Sequence, residues 1–214
     1  MYELYVITDE DLSNGLSHAE IARLACEGGA DVIQLRDKHM GKEELLAVAK
    51  DIRKITDSHD VLFFVNDHLD VAIESHADGV HLGQSDLELM DPFDIVFKEL
   101  LIGISVSSPY EAFAAEMSGA DYIGLGPVFE TSSKDDAGSA VGLASLREIS
   151  DLVNIPIVAI GGITKENIPS VIAAGADGVA VISAVVSQKD VRGAAKELKG
   201  IVDGAVIKAS EGRR

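Results

Sequence analysis

The chain has 214 residues, 47% of them apolar, and no apolar run approaches the roughly 20 residues of a membrane span, so one globular unit over residues 1–214 is expected, with a frayed tail near 210–214. Eighteen basic residues against 36 acidic ones give a net charge of −18, a surface that repels nucleic acid and anionic membrane. An anionic ligand would therefore need a locally basic or metal-holding site. The lone Cys26 excludes an internal disulfide; with no signal peptide before the first strand-like run, a cytoplasmic protein is expected. Its apolar helical setting reads as core filler rather than nucleophile.

In chain order, Leu4–Thr8 reads as the first strand. Ser17 with Glu20 forms a capping box that opens a helix whose Ile21, Leu24 and Ala25 share a face. Asp31–Arg36 is the second strand, and Lys42–Thr56 the next helix. Val61–Val65 is a continuous apolar run, as in a strand buried on both faces. A short helix is expected at Leu69–Ser75, a strand at Gly79–Leu82, and a helix interrupted by Pro92 at Leu87–Lys98. Leu101–Val106 is the fifth strand; Ser108-Pro109 starts a helix that runs to Met117. Tyr122–Leu125 is the sixth. The irregular stretch Gly126–Gly142 is long enough to be functional. Helix Leu143–Asp151, strand Ile155–Ile160, helix Lys165–Ala173, strand Gly178–Ile182 and a last helix from Val191 to about Val202, with room to extend toward Ala209, complete the chain.

One pattern recurs through this order. Gly29-Ala30-Asp31, His76-Ala77-Asp78, Gly119-Ala120-Asp121 and Gly175-Ala176-Asp177 stand roughly 50 residues apart, each before an apolar strand. Eight strands and eight helices in four repeats of two βα units match a closed (β/α)8 TIM barrel. An open doubly wound sheet explains the repeat less well, and no Gly-x-Gly-x-x-Gly follows the first strand.

In such a barrel the loops after the strands build the active site. Gln34, Arg36 and Lys38 are spaced by two, so a strand turns them to one side, opposite Ile33 and Leu35. Either a carboxylate from a neighbouring strand pairs with them or an anionic ligand does. Asp67, after Asn66, and Asp86, after Gln84-Ser85, bring two carboxylates to the same rim. Each alone could cap a helix; together, beside a basic stripe, they suit Mg²⁺ with phosphate oxygens. Gly161-Gly162 and Ser183 end the seventh and eighth strands, the usual phosphate site of this fold. Gly124 and Gly126 leave room for a ring or ease a turn, and His81 should face inward as a hydrogen-bonded core histidine. A basic, metal-assisted subsite and a neutral, backbone-built one together suit condensation with loss of diphosphate.

The chain also resembles the thiamine-phosphate synthase family, from Tyr5 to Ser183. The matching stretches are Gln34-Leu35-Arg36-Asp37-Lys38, Val65-Asn66-Asp67, Gly79–Asp86, Gly126-Pro127-Val128-Phe129 and Ala159–Ile163. The resemblance implies that Gln34, Leu35, Arg36, Asp37, Lys38, Asn66, Ser105 and Lys134 bind a pyrimidine diphosphate. It implies that Thr131, Ser132, Ser133, Gly162, Ile182 and Ser183 bind a thiazole phosphate. Asp67 and Asp86 would hold the Mg²⁺ cofactor, and Arg36, Lys38, Lys134 and Ser105 would act in catalysis, through a pyrimidine carbocation. Small-molecule substrates are the implied partners; whether the chain forms a homo-oligomer is left open. Where the family has Thr-Pro-Thr-Lys, this loop has Thr131-Ser132-Ser133-Lys134, which frees a backbone angle. The thiazole tautomerase paralogue shares the barrel but needs no diphosphate site, and a phosphate-binding sensor needs no catalytic set.

Overall fold

The computed structural model describes residues 2–85, 100–131, 133 and 138–212. Strands β1 Leu4–Ile7, β2 Val32–Leu35, β3 Leu62–Asn66, β4 Gly79–Leu82, β5 Leu101–Val106, β6 Tyr122–Leu125, β7 Ile157–Ile160 and β8 Gly178–Val181 form a closed barrel in chain order. Every neighbouring pair is parallel, and β8 returns to β1. This is the (β/α)8 barrel that the repeat predicts. The described helices are α1 His18–Glu27, α2 Lys42–His59, α3 Leu69–Glu74, α4 Pro109–Met117, α5 Gly142–Leu152, α6 Ile168–Ala173, α7 Ser183–Val186 and α8 Val191–Gly212. The helix expected at Leu87–Lys98 lies outside the described residues. Ser17 caps α1 with the full capping box, and Ser108 caps α4 with Pro109 in its first turn. The four-residue α7 carried no sequence signal, because one turn shows no periodicity.

The repeat has a physical meaning. Its first residue takes a left-handed backbone that stops the helix: Gly29, His76, Gly119 and Gly175 have φ of 93, 55, 86 and 109°. Its alanine is buried in all four copies and bonds back to the helix, as Ala30 N–H does to the Ala25 carbonyl at 3.1 Å. Its aspartate then clamps one residue of the preceding strand from both sides. Asp31 N–H donates to the Leu4 carbonyl at 2.9 Å while Leu4 N–H donates to Asp31 Oδ2 at 2.8 Å. The same reciprocal pair joins Asp78 to Phe63, Asp121 to Ile102 and Asp177 to Ile157. Lys199 on α8 adds ion pairs to Glu3 at 2.6 Å and Asp31 at 2.9 Å, tying the last helix to β1.

Between strands and helices the core is aliphatic. Inside the barrel it is aromatic: Tyr122 stacks on Tyr2 at 4.8 Å between centroids and meets Phe64 edge-on at 5.6 Å. A Cβ at Gly103 would overlap the Tyr122 ring, and one at Gly79 would overlap Phe64. The glycines of β4 and β5 are therefore the space into which these rings fit. Cys26 is buried, and burial pushes its thiol up to about 12, so it is core filler as expected. No helix among the described residues is long and apolar enough to cross a membrane.

The clamp should be measurable. Asp78→Ala removes both the acceptor of Phe63 N–H and the 2.7 Å ion pair with Arg53, and should cost about 1–3 kcal/mol in urea unfolding. Asp78→Asn keeps an oxygen for Phe63 and should lose clearly less. Equal losses would show that the ion pair, not the backbone clamp, is the stabilising contact.

Candidate active site

A cavity of about 660 Å³ opens at the carboxyl ends of β5 to β8. Its wall is built by the two glycines after β7. Gly161 and Gly162 have φ of 94 and 62°, a conformation that side chains rarely adopt. A Cβ on Gly161 would overlap Pro127, and one on Gly162 would stand 2.6 Å from the Glu130 carbonyl oxygen. The loop after β6 thus lies directly on them; Val128 N–H donates to the Ile160 carbonyl at 2.8 Å. Thr131, Ser133, Gly162, Ile182 and Ser183 all line the cavity. Ser133 Oγ is 3.0 Å from Ser183 Oγ, and Ser133 N–H donates to Thr131 Oγ1 at 3.2 Å. Glu130 is the one charged residue among its described lining, so the described residues of this side offer hydroxyls and backbone groups and no cation. Ser183 also opens α7, whose first N–H groups have no partner inside the helix. Glu130, Thr164 and Gln188 line the cavity too, and no spacing in the sequence singles them out.

The basic side lies across the barrel at the ends of β2 and β3. Arg36 is half-buried and faces Asp9 Oδ2 at 3.8 Å, a separation at which charge attracts without a hydrogen bond. The neighbouring carboxylate that would pair with the basic stripe is thus present, in the loop after β1, yet its hold on Arg36 is loose. Lys38 is exposed at the rim. Gln34 is buried within the barrel, with Nε2 donating to the Tyr5 hydroxyl at 2.8 Å. Leu35 is buried in the core on the opposite face, so its side chain is turned from the rim.

Asp37 bends into its own loop. Its Oδ1 accepts from the His39 and Met40 amides at 2.7 Å each, and its Oδ2 is 3.2 Å from Nε2 of the buried His18, whose Nδ1 is 2.7 Å from Thr8 Oγ1. Burial works against the Asp37 charge, but the two amides and His18 outweigh it and hold its carboxyl below the usual range.

Asp67 follows Asn66 at the rim with φ 63°, a left-handed conformation that costs about 1–2 kcal/mol in a residue with a side chain. Its N–H donates to the His81 carbonyl at 2.9 Å. The cap position of α3 is His68, which makes no side-chain capping bond, so Asp67 is not held there as a helix cap. Ser105 lines the cavity; Gln84 Nε2 donates to its carbonyl at 2.6 Å, and His81 Nε2 is 2.9 Å from its hydroxyl. His81 is half-buried and hydrogen-bonded, as a core histidine should be, and Gly124 makes the room for its ring, with a Cβ there 2.8 Å from His81 Cε1. Asp86, Ser132 and Lys134 lie outside the described residues.

A family model described as thiamine monophosphate synthase matches residues 4–185. The chain belongs to the thiamine monophosphate synthase family. It is 56% identical over 201 residues to a thiamine-phosphate synthase of Methanocella arvoryzae, covering 94% of this chain and 95% of that one. It is 55% identical over 212 residues to the thiamine-phosphate synthase of Methanoculleus marisnigri, covering 99% of both. Among solved structures, thiamine phosphate pyrophosphorylase from Pyrococcus furiosus superposes with a TM-score of 0.87 at 45% identity, over 96% of this chain and 97% of that one. The family match spans all eight strands, so the cavity and the basic rim lie inside the family's own barrel.

The Asp37 arrangement predicts a pH dependence. A carboxyl held below its unfolded value stabilises the fold above that value and loses the contribution as pH falls through the folded one. The stability gap between wild type and Asp37→Asn should therefore be widest near neutral pH and shrink under acid. Urea melts across that range give the gap directly; a gap independent of pH would mean that the loop bonds do not depend on the charge.

Proposed function

We propose that this barrel joins an aminopyrimidine carried on diphosphate to a thiazole phosphate, giving thiamine phosphate and diphosphate. The activity is that of its family; the division of labour among its residues is the reading advanced here. The observation that carries it is the two-sided rim, lined by hydroxyls and glycines at β6 to β8 and basic with a carboxylate at β2 and β3.

On the β6 to β8 side, Thr131, Ser133, Gly162 and Ser183, with Ser132 and Ile182 beside them, would hold the thiazole phosphate through hydroxyls and backbone N–H groups. A phosphate monoester needs no full countercharge there. On the other side, Arg36, Lys38 and Lys134 would hold the diphosphate, with Gln34, Asn66 and Ser105 orienting the pyrimidine. Asp37 would act through the loop it shapes, and Leu35 through its backbone.

The bond between the pyrimidine methylene and the diphosphate oxygen breaks, and its electron pair leaves with diphosphate. The aminopyrimidine ring delocalises the positive charge left on the methylene carbon. The thiazole nitrogen then donates its lone pair to that carbon, and the new C–N bond moves the positive charge onto the nitrogen of the resulting thiazolium. No proton need leave the nitrogen, so no general base is required. Arg36, Lys38 and Lys134 stabilise the charge that grows on the departing oxygens, which is where preorganised cations act most strongly.

Asp67 and Asp86 would hold Mg²⁺, which when bound neutralises diphosphate charge. Asp67, the described member of that pair, stands at the rim beside Asn66 and outside the cap position of α3, which supports this reading. Among the described residues no three metal-ligating side chains cluster. Mg²⁺ sites at phosphates commonly combine one or two carboxylates with substrate oxygens and water.

The direct test is to supply both substrates with Mg²⁺ and count products; thiamine phosphate and diphosphate should appear in equal amounts. Isomerised thiazole phosphate without diphosphate would overturn the reading. Asp67→Ala should lower turnover roughly 100-fold at limiting Mg²⁺ and melt near the wild-type temperature, because a lost electrostatic ligand differs from a lost cap. Normal turnover with an early melt would make Asp67 structural.

A further inference from the structure

Beneath the cavity, the barrel interior holds a line of polar groups whose middle members the steps above leave unused. Gln34 Nε2 donates to the Tyr5 hydroxyl at 2.8 Å, and the Tyr5 and Tyr122 hydroxyls are 2.9 Å apart. The Tyr122 hydroxyl is 2.8 Å from His81 Nδ1, and His81 Nε2 is 2.9 Å from Ser105 Oγ. All five residues line a small chamber of about 30 Å³, which shares Ser105, Gly124, Ile160 and Ala180 with the main cavity. Gln34, Tyr5 and Tyr122 are each 1% exposed, and Gln34 Oε1 is buried without a partner. Buried polar groups destabilise a core unless they are satisfied, and phenylalanine at 5 and 122 would pack without needing partners. The chain of bonds therefore asks for a use.

Its direction can be worked out by counting protons. Burial pushes both phenols above their usual range, so each keeps its single proton at neutral pH. Tyr5 accepts from Gln34, an amide N–H that cannot accept in return, so the Tyr5 proton goes to Tyr122. Tyr122 then has its own proton to give to His81 Nδ1. An accepting Nδ1 leaves the neutral ring with its proton on Nε2, which donates to Ser105 Oγ. Ser105 has accepted, so its own proton is turned to the cavity it lines. Turning the Gln34 amide over would reverse every bond and strand both of its N–H protons, where the present orientation strands one N–H and the carbonyl oxygen, the less costly pair because an orphaned buried N–H is the rarer defect.

We propose that Tyr5, Tyr122 and His81 are positioning residues, a one-way hydrogen-bond chain that starts at Gln34 and makes the Ser105 hydroxyl a donor to the pyrimidine diphosphate. The proposal rests on the placing of Ser105 in that subsite. It extends the reach of the reaction into the barrel floor. A hydroxyl free to rotate would spend time accepting rather than donating; the chain removes that freedom before substrate arrives, the kind of preorganisation that favours the transition state.

Two measurements decide it. The first needs no turnover: ¹⁵N NMR of the full chain labelled at its 6 histidines, with the His81 signals assigned by their loss in His81→Gln. Without substrates, His81 should carry its proton on Nε2 and none on Nδ1. A ring protonated on Nδ1 would mean the chain runs the other way, and the proposal falls. The second is kinetic. Tyr122→Phe keeps the ring and breaks the chain; kcat should drop roughly tenfold, about one hydrogen bond's effect, with KM for the thiazole phosphate unchanged. In a Ser105→Ala background the same substitution should change kcat little, because its effect passes through that hydroxyl. An equal loss in both backgrounds, or no loss in either, would overturn the positioning role. A wild type that makes no thiamine phosphate would sink the functional reading, and the tautomer measurement would still decide the direction of the chain.

Discussion

The reciprocal bond pair between each repeat aspartate and the strand before it sets the frame on which everything else depends. It fixes where every even strand begins against its odd neighbour, at the amino-terminal end of the barrel. Most strands are four residues long, so a fixed start is also a fixed finish. Gln34 on β2 comes level with Phe64 on β3, and Asn66 with His81 on β4. A slip of one residue would turn Gln34 toward the helices and Ile33 inward. The clamps thus keep stability at one end of the barrel and leave the other end free for chemistry, the division expected of this fold.

The second constraint is volume. Eight short strands enclose a space that side chains must fill. Here Tyr2, Tyr5, Phe64 and Tyr122 fill its lower part, and Gly79 and Gly103 make that filling feasible. Near the carboxyl ends the lining shrinks to Gly124, Ala180 and Ser105, and a cavity opens. The floor between the two regions is polar, because the last aromatic residues carry hydroxyls that meet His81 and Gln34. Packing and chemistry share the same side chains there.

Much of this was legible in the sequence because it depends on local spacing. The Gly-Ala-Asp repeat encodes a helix stop, a buried contact and a strand start within three residues, so both strand count and barrel closure could be read from it. The alternation from Gln34 to Lys38 gave the inward face of β2, and the Ser17–Glu20 capping box and Ser108-Pro109 gave helix starts to within a residue. What escaped depends on distance along the chain. Tyr5 meets Tyr122 across 117 residues, and no local pattern announces such a contact. The role of Asp37 in its own turn, buttressed by His18, was hidden behind its place in a charged motif. Glu130 and Gln188 sit on loops, where identity alone does not say which way a side chain points.

The acidic surface gives the two-sided rim its logic. A net charge of −18 works against any phosphate approaching the protein, so at least one subsite must carry local positive charge. Placing all of it in one neutralised cluster would leave no cation for an anion to meet. Asp9 resolves this by standing 3.8 Å from Arg36, close enough to hold the guanidinium in place and too far to take up a donor of its fork. In the proposed reading, a diphosphate arriving at Arg36 could take its hydrogen bonds without first breaking one to Asp9. The other side would meet a smaller charge with hydroxyls and backbone, and the glycines after β7 let the chain turn there where side chains would not fit. In the proposed reading diphosphate, the more charged species, would go to the side with cations, where the growth of charge on it during bond cleavage could be met. The same asymmetry separates condensation from isomerisation, since a barrel that only isomerised a thiazole phosphate would have no use for the second, basic side.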